Sequence, residues 1–118
     1  AYSRMAREAE KAAAALAEEG ISAEVIDLRT LVPLDIVTVV NSVVKTGRVI
    51  LAEEGTLTGG VGAELGMRIF ESAWDSLDAP IRRVAMPDIP IPFAPELEAA
   101  VLPSAVDIVL AARELVDI

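Results

Sequence analysis

The residues with types and spacing suited to chemistry lie between Arg48 and Phe70. Two carboxylates, Glu53 and Glu54, end a short apolar run, and a loop with Gly55, Gly59, Gly60 and Gly62 leads into an amphipathic pattern. Strand, glycine loop and helix N-terminus form a phosphate-binding geometry, because free backbone N–H groups and the helix dipole both favour an anion there. The spacing argues against that use. Gly60-x-Gly62-x-x-x-Gly66 misses the dinucleotide fingerprint by one position, and no Gly-Lys-Ser/Thr follows it. Glu53, Glu54 and Glu64 flank the loop where a phosphate would be repelled. The following strand ends Val84-Ala85-Met86, without the acidic residue of a ribose site. As an acid/base pair Glu53 and Glu54 fail too, since neighbours on a strand point to opposite faces. One of them can still project into the crevice at the strand's carboxyl end, where α/β domains place ligands. The pattern predicts a turn with a closely packed helix rather than a phosphate cradle.

Other chemistry is restricted by composition. The 118 residues contain no histidine and no cysteine, which removes the commonest general base, the thiolate nucleophile and the usual transition-metal ligands. Ser104 therefore has no triad, and it reads as a helix cap. The net charge of -9, from 19 acidic and 10 basic residues, repels nucleic acid and anionic lipid and suits a basic partner. Asp75, Asp78, Asp117 and the carboxylate of Ile118 form an acidic group that is either plain surface or a dock for arginine. Hydrophobic residues make up 53%, a surplus that suggests an apolar face for a partner, while 3% aromatics require an aliphatic core. No apolar run approaches the roughly 18 residues of a membrane span.

The elements that must position these residues follow from period and punctuation. Ser3 is the expected cap of a helix to about Glu19, with Met5, Ala9, Ala12, Ala13 and Leu16 on one face and Gly20 as the stop. A strand is expected from Ala23 to Leu28. Asp35 caps a helix whose apolar positions are Ile36, Val39, Val40, Val43 and Val44, and Gly47 ends it. Arg48 to Ala52 is the next strand. Val61 to about Leu77 is a helix with Gly62, Leu65, Gly66, Ile69, Phe70, Ala73 and Leu77 on its inner face, and Trp74 on the border of that face. Ile81 to Met86 is a strand. Four prolines make residues 87–95 an extended arm. A short helix from Glu96 to Val101 and a last one after Ser104 complete the chain, the latter turning Ala105, Ile108, Val109, Ala112 and Val116 inward. The alternation predicts a single domain over residues 1–118, a three-layer α/β/α sandwich with a mostly parallel sheet. No strand precedes the first helix, so the opening reads as a cut just after a missing strand.

Several linked motifs carry a family signature: Glu24-Val-Ile-Asp-Leu-Arg-Thr30, Pro33-Leu34-Asp35, Glu53-Glu54-Gly55, Gly60-Val61-Gly62-Ala63-Glu64, Leu77-Asp78-Ala79-Pro80 and Asp88-Ile-Pro-Ile-Pro-Phe-Ala94. Together they resemble the C-terminal, transketolase C-terminal-like domain of the beta subunit of thiamine-diphosphate-dependent 2-oxo acid dehydrogenases, pyruvate dehydrogenase type. The resemblance implies five strands flanked by helices, the first strand antiparallel and lying before the Ala1-Tyr2-Ser3-Arg4 segment. It implies that thiamine diphosphate and Mg sit elsewhere, between an alpha subunit and the beta subunit's N-terminal domain, which also supplies the activating glutamate. No catalytic, cofactor or metal residue is carried onto this chain. The partners implied are the alpha subunit, a second beta subunit, and the small basic peripheral-subunit-binding domain of the dihydrolipoyl acyltransferase. Asp78, Asp117 and the carboxylate of Ile118 are the candidates for that last contact. The location implied is cytoplasm in a bacterium, or mitochondrial matrix or plastid in a eukaryote. Thr56-Leu57-Thr58-Gly59 stands where relatives often carry an aromatic residue or proline, which leaves branched-chain, acetoin and 1-deoxyxylulose-phosphate-synthase relatives open beside pyruvate.

Overall fold

In the computed structural model, which describes residues 1–118, the apolar periods become five helices and two paired strands. They are α1 (Arg4–Glu18), α2 (Ile36–Thr46), β1 (Ile50–Thr56), α3 (Val61–Ala73), β2 (Arg82–Met86), α4 (Pro95–Val101) and α5 (Ala105–Val116). β1 and β2 run parallel, with Ile50 opposite Arg82 and Ala52 opposite Val84, and the register shifts between Ala52 and Thr56. The pleat of β1 divides the core. Leu51 packs with Val39, Val43, Leu65 and Ile69 of α2 and α3. Its neighbour Ala52 packs with Met5 and Ala12 of α1 and Ile108 of α5. Successive side chains on a strand face opposite ways, so one helix pair lies on each side of the sheet.

Helix boundaries follow the expected chemistry in most places. The Asp35 carboxylate accepts the Thr38 N–H at 3.1 Å, and Gly47 ends α2 in the left-handed region at φ 72°. Ser104 and Asp107 form a reciprocal box at the start of α5, the Ser104 N–H donating to Asp107 at 2.8 Å.

Four expectations are corrected. Ser3 caps nothing: its backbone sits at φ 56°, outside the usual cap conformation, and its hydroxyl makes no cap bond. Residues 23–28 are extended but join no ladder. Their backbone bonds nearest the sheet go to Ala1, whose N–H₃⁺ donates to Ile26 O at 3.1 Å and whose carbonyl accepts the Leu28 N–H at 3.0 Å. The α3 helix stops at Ala73 and tightens into a 3₁₀ turn over Trp74–Ser76, and Phe70, expected on the inner face, is exposed, as is Trp74. Val44 and Val116 likewise face outward, and Leu115 takes the inner position at the end of α5.

One buried carboxylate ties the first helix to the last. Glu8 of α1 accepts the Ala105 N–H at 2.9 Å and the Lys11 ammonium at 2.8 Å. An acidic group at an N-terminus satisfies an orphan donor and complements the dipole. The Lys11 bond first, and the Ala105 bond second, hold the Glu8 carboxyl below the usual carboxylate range. Its pKa is thus lower folded than unfolded. The stabilisation is whole above the unfolded-chain value and is lost as pH falls through the folded one. Urea titrations should show Glu8→Ala costing roughly 1–3 kcal/mol at neutral pH, since Ala105 N–H loses its partner. The difference between the two proteins should shrink once the buffer is acidic enough to protonate Glu8.

Candidate functional site

The glycine loop at the carboxyl end of β1 has an anion site, and a side chain of this chain fills it. The pleat that sends Leu51 toward α3 sends Glu53 the same way. Its carboxylate, 2% exposed, accepts the Gly62 N–H in the first turn of α3 at 2.5 Å. The Tyr2 hydroxyl donates to its other oxygen at 3.3 Å. Glu54 points to the opposite layer, where the Arg4 guanidinium lies 3.7 Å away. The two adjacent carboxylates are therefore separated as the strand geometry predicts, and neither faces the other across a crevice.

The glycines follow from this placement. A Cβ at Gly55 would lie 2.6 Å from the Glu53 carboxylate, and one at Gly60 would lie 2.8 Å from it. A Cβ at Gly62 would collide with the same carboxylate. Because Glu53 is buried it cannot swing aside, so small residues are needed on three sides of one ion. Around it, burial first and the Glu53 charge second push the Tyr2 phenol up. Arg83 braces the loop from β2: its guanidinium donates to Leu57 O, while its Nε is buried without a partner. Asp88 holds the loop from the other side, accepting the Thr58 N–H at 2.9 Å and the Thr58 hydroxyl at 2.5 Å, bonds that keep its carboxyl below the usual range.

Asp78, Asp117 and Ile118 lie at the other end of the strands, where β1 and β2 begin. All three are exposed. Arg48 joins their surroundings: its Nε donates to Leu115 O at 3.0 Å, and its guanidinium lies 3.9 Å from the Asp78 carboxylate. The Asp78 N–H is fixed on Gly47 O at 2.8 Å, and the Ile118 N–H on Leu115 O at 3.5 Å. Sequence reasoning missed Arg48 as the link between the 78 turn and the end of α5. It also missed Glu8 and Glu53 as caps. A glutamate followed at short range by several glycines was the available signal for Glu53. For Glu8 and Arg48 the partners lie 97 and 67 residues away, and no local pattern marks them.

A third feature is an outward apolar stripe along α3 and into the 3₁₀ turn that follows it. Met67, Phe70 and Trp74, at i, i+3 and i+7, are 55%, 53% and 64% exposed, and Val37 and Val44 of the adjoining α2 are exposed as well. The proline arm adds Ile91 and a wholly exposed Phe93.

Two measurements check the reading of the loop. Glu53→Ala should lower stability by roughly 1–3 kcal/mol in denaturant titration, by leaving the Gly62 N–H unpaired. Gly62→Ala should cost a similar ~1–3 kcal/mol by overpacking. Inorganic phosphate should leave the melting temperature of the unsubstituted chain unchanged.

Residues 1–108 match the family model described as "Transketolase, C-terminal domain". The pyruvate dehydrogenase E1 component subunit beta, mitochondrial, of Dictyostelium discoideum is 46% identical over 114 residues, 97% of this chain and 32% of that protein. Subunit beta-1 of the same component from Oryza sativa subsp. japonica is 48% identical over 113 residues, 96% of this chain and 30% of that protein. The acetoin:2,6-dichlorophenolindophenol oxidoreductase subunit beta of Cupriavidus necator is 42% identical over 113 residues, 96% of this chain and 33% of that protein. A solved structure described as "Split gene transketolase, inactive beta4 tetramer" superposes with a TM-score of 0.75 at 32% identity, over 97% of this chain and 36% of that one. The chain spans about a third of the length of the curated relatives it matches. With the parallel β1–β2 pair between two helix layers, these matches establish the family: the chain belongs to the transketolase C-terminal domains.

Proposed function

We propose that the chain is the assembly domain of the beta subunit of a thiamine-diphosphate-dependent 2-oxo acid dehydrogenase, with pyruvate as the substrate of the whole enzyme. The observation that carries this reading is the fate of Glu53. The carboxylate best placed to work at the carboxyl ends of the strands is buried as the cap of α3. The helix N-terminus that would otherwise attract a diphosphate is thereby satisfied and made negative. No group of three or more Asp or Glu side chains is arranged to hold a metal ion. The residues present do not fit thiamine diphosphate or Mg, so the cofactor belongs to another part of the enzyme. The similarity to pyruvate dehydrogenase beta subunits over nearly the whole chain supports the substrate. The similarity to the acetoin oxidoreductase subunit favours acetoin as a second reading.

In this role the apolar stripe of α2 and α3 and the proline arm meet the rest of the enzyme, a second beta subunit foremost. The acidic pole of Asp78, Asp117 and the Ile118 carboxylate receives the basic peripheral-subunit-binding domain of the acyltransferase. Arg48 forms a loose ion pair with Asp78 at 3.9 Å and makes no hydrogen bond to it, so the exposed carboxylate keeps hydrogen-bonding capacity for an incoming arginine.

Titration calorimetry with thiamine diphosphate and Mg should give no heat with this chain, and tight binding would overturn the reading. Sedimentation should show self-association that Phe70→Glu together with Trp74→Glu abolishes. Affinity for a basic acyltransferase binding domain should fall as salt rises. Asp78→Asn with Asp117→Asn should weaken it at least several-fold, as expected for paired interface charges.

A further inference from the structure

Three methionines hold all the sulfur of the chain, because cysteine is absent. A thioether is oxidised as the neutral group, with no proton to lose first, so access ranks the three sites. Met5 is 0% exposed, packed among Ala12, Ala52, Val84 and Ile108, and the Arg4 guanidinium donates to its sulfur at 3.7 Å. Met86 of β2 is 3% exposed. Met67, on the outer side of α3, is 55% exposed. The fold closes off two sulfurs and leaves one open.

The open one stands in the apolar stripe, one turn from Phe70 and two from Trp74. Oxygen transfer from a hydroperoxide changes what that position can do. The peroxide O–O bond breaks, an S–O bond forms at Sδ, and the remaining oxygen leaves as water or an alcohol. The sulfur gives up two electrons and the peroxide takes them. A flexible apolar side chain becomes a polar sulfoxide. On the free chain that group is hydrated, and the inward Leu65 and Ile69 of α3 are untouched. Under a covering surface it must shed its water beside Phe70, Val37 and Val44, which have no hydrogen-bond donor to offer. The same oxygen atom therefore costs the free chain little and the associated chain much.

We propose that Met67 is a redox modification site, oxidised by hydroperoxides while the stripe is uncovered, and that its sulfoxide keeps the stripe from self-association. Covering acts in the opposite sense, since a seated second copy shields the sulfur from the oxidant. Thiol-dependent sulfoxide reduction restores the thioether. The inference rests on the reading of the stripe as a contact between copies of this chain.

The test treats the folded chain with dilute hydrogen peroxide and follows peptide masses, melting and sedimentation. Met67 should gain one oxygen about tenfold faster than Met5 or Met86, or more. At concentrations where the chain is monomeric, the oxidised form should keep its melting temperature. Its self-affinity should fall roughly tenfold or more. The two classes of methionine sulfoxide reductase, one for each sulfur epimer, should return that affinity when supplied with a dithiol. Sedimentation of Met67→Leu should be the same before and after peroxide. Comparable oxidation rates at all three methionines, or undiminished association after complete oxidation of Met67, would overturn the proposal and leave the role of the stripe standing. An untreated chain that stays monomeric at high concentration would overturn both.

Discussion

The bond from the Gly62 N–H to the Glu53 carboxylate is the constraint on which the centre of the molecule depends. It joins the end of β1 to the start of α3 and holds Tyr2 over the junction. Burying a carboxylate is costly unless donors surround it, so the loop cannot relax without exposing or orphaning that charge. The backbone must also approach closely enough for the bond to form, which is why Gly55, Gly60 and Gly62 surround the same side chain. A geometry associated with phosphate binding has become a self-satisfied corner, and the anion is covalently part of the protein.

This corner is one instance of a wider arrangement. The two charged side chains that the fold buries are Glu8 and Glu53, and both satisfy amides at helix N-termini. Asp35 and Asp107 do the same at the surface. Part of the acidic excess that a partner-seeking reading takes as an electrostatic field is therefore committed to internal bonds. Asp78, Asp117 and Ile118 are exposed at the opposite pole of the strands.

Helix patterning was the most legible part of the sequence, because α1, α2, α3 and α5 each have an apolar period backed by local stop or start residues. Sheet patterning was legible only where a pairing strand is present. β1 and β2 formed near the expected places, β1 shifted from Arg48–Ala52 to Ile50–Thr56 and β2 starting at Arg82. Residues 23–28 have strand composition and no ladder, since hydrogen-bonded pairing depends on a second backbone that composition cannot supply. The candidate site was half legible. Glu53 and its glycines stand out as a motif, and the pleat correctly separates Glu53 from Glu54. That the carboxylate turns inward depends on the position of α3, and its purpose could not be read without that position. Arg48 illustrates the limit more sharply, because its two contacts come from segments 30 and 67 residues away.

The proline arm between β2 and α4 displays Ile89, Ile91 and Phe93 to solvent, interleaved with Pro87, Pro90 and Pro92. Each proline fixes one backbone torsion, so little conformational freedom remains for a covering surface to remove. Each also lacks an amide hydrogen, which denies the arm the regular donors an adventitious strand would need. The segment is in this way preorganised for contact through side chains and poor at recruitment through backbone.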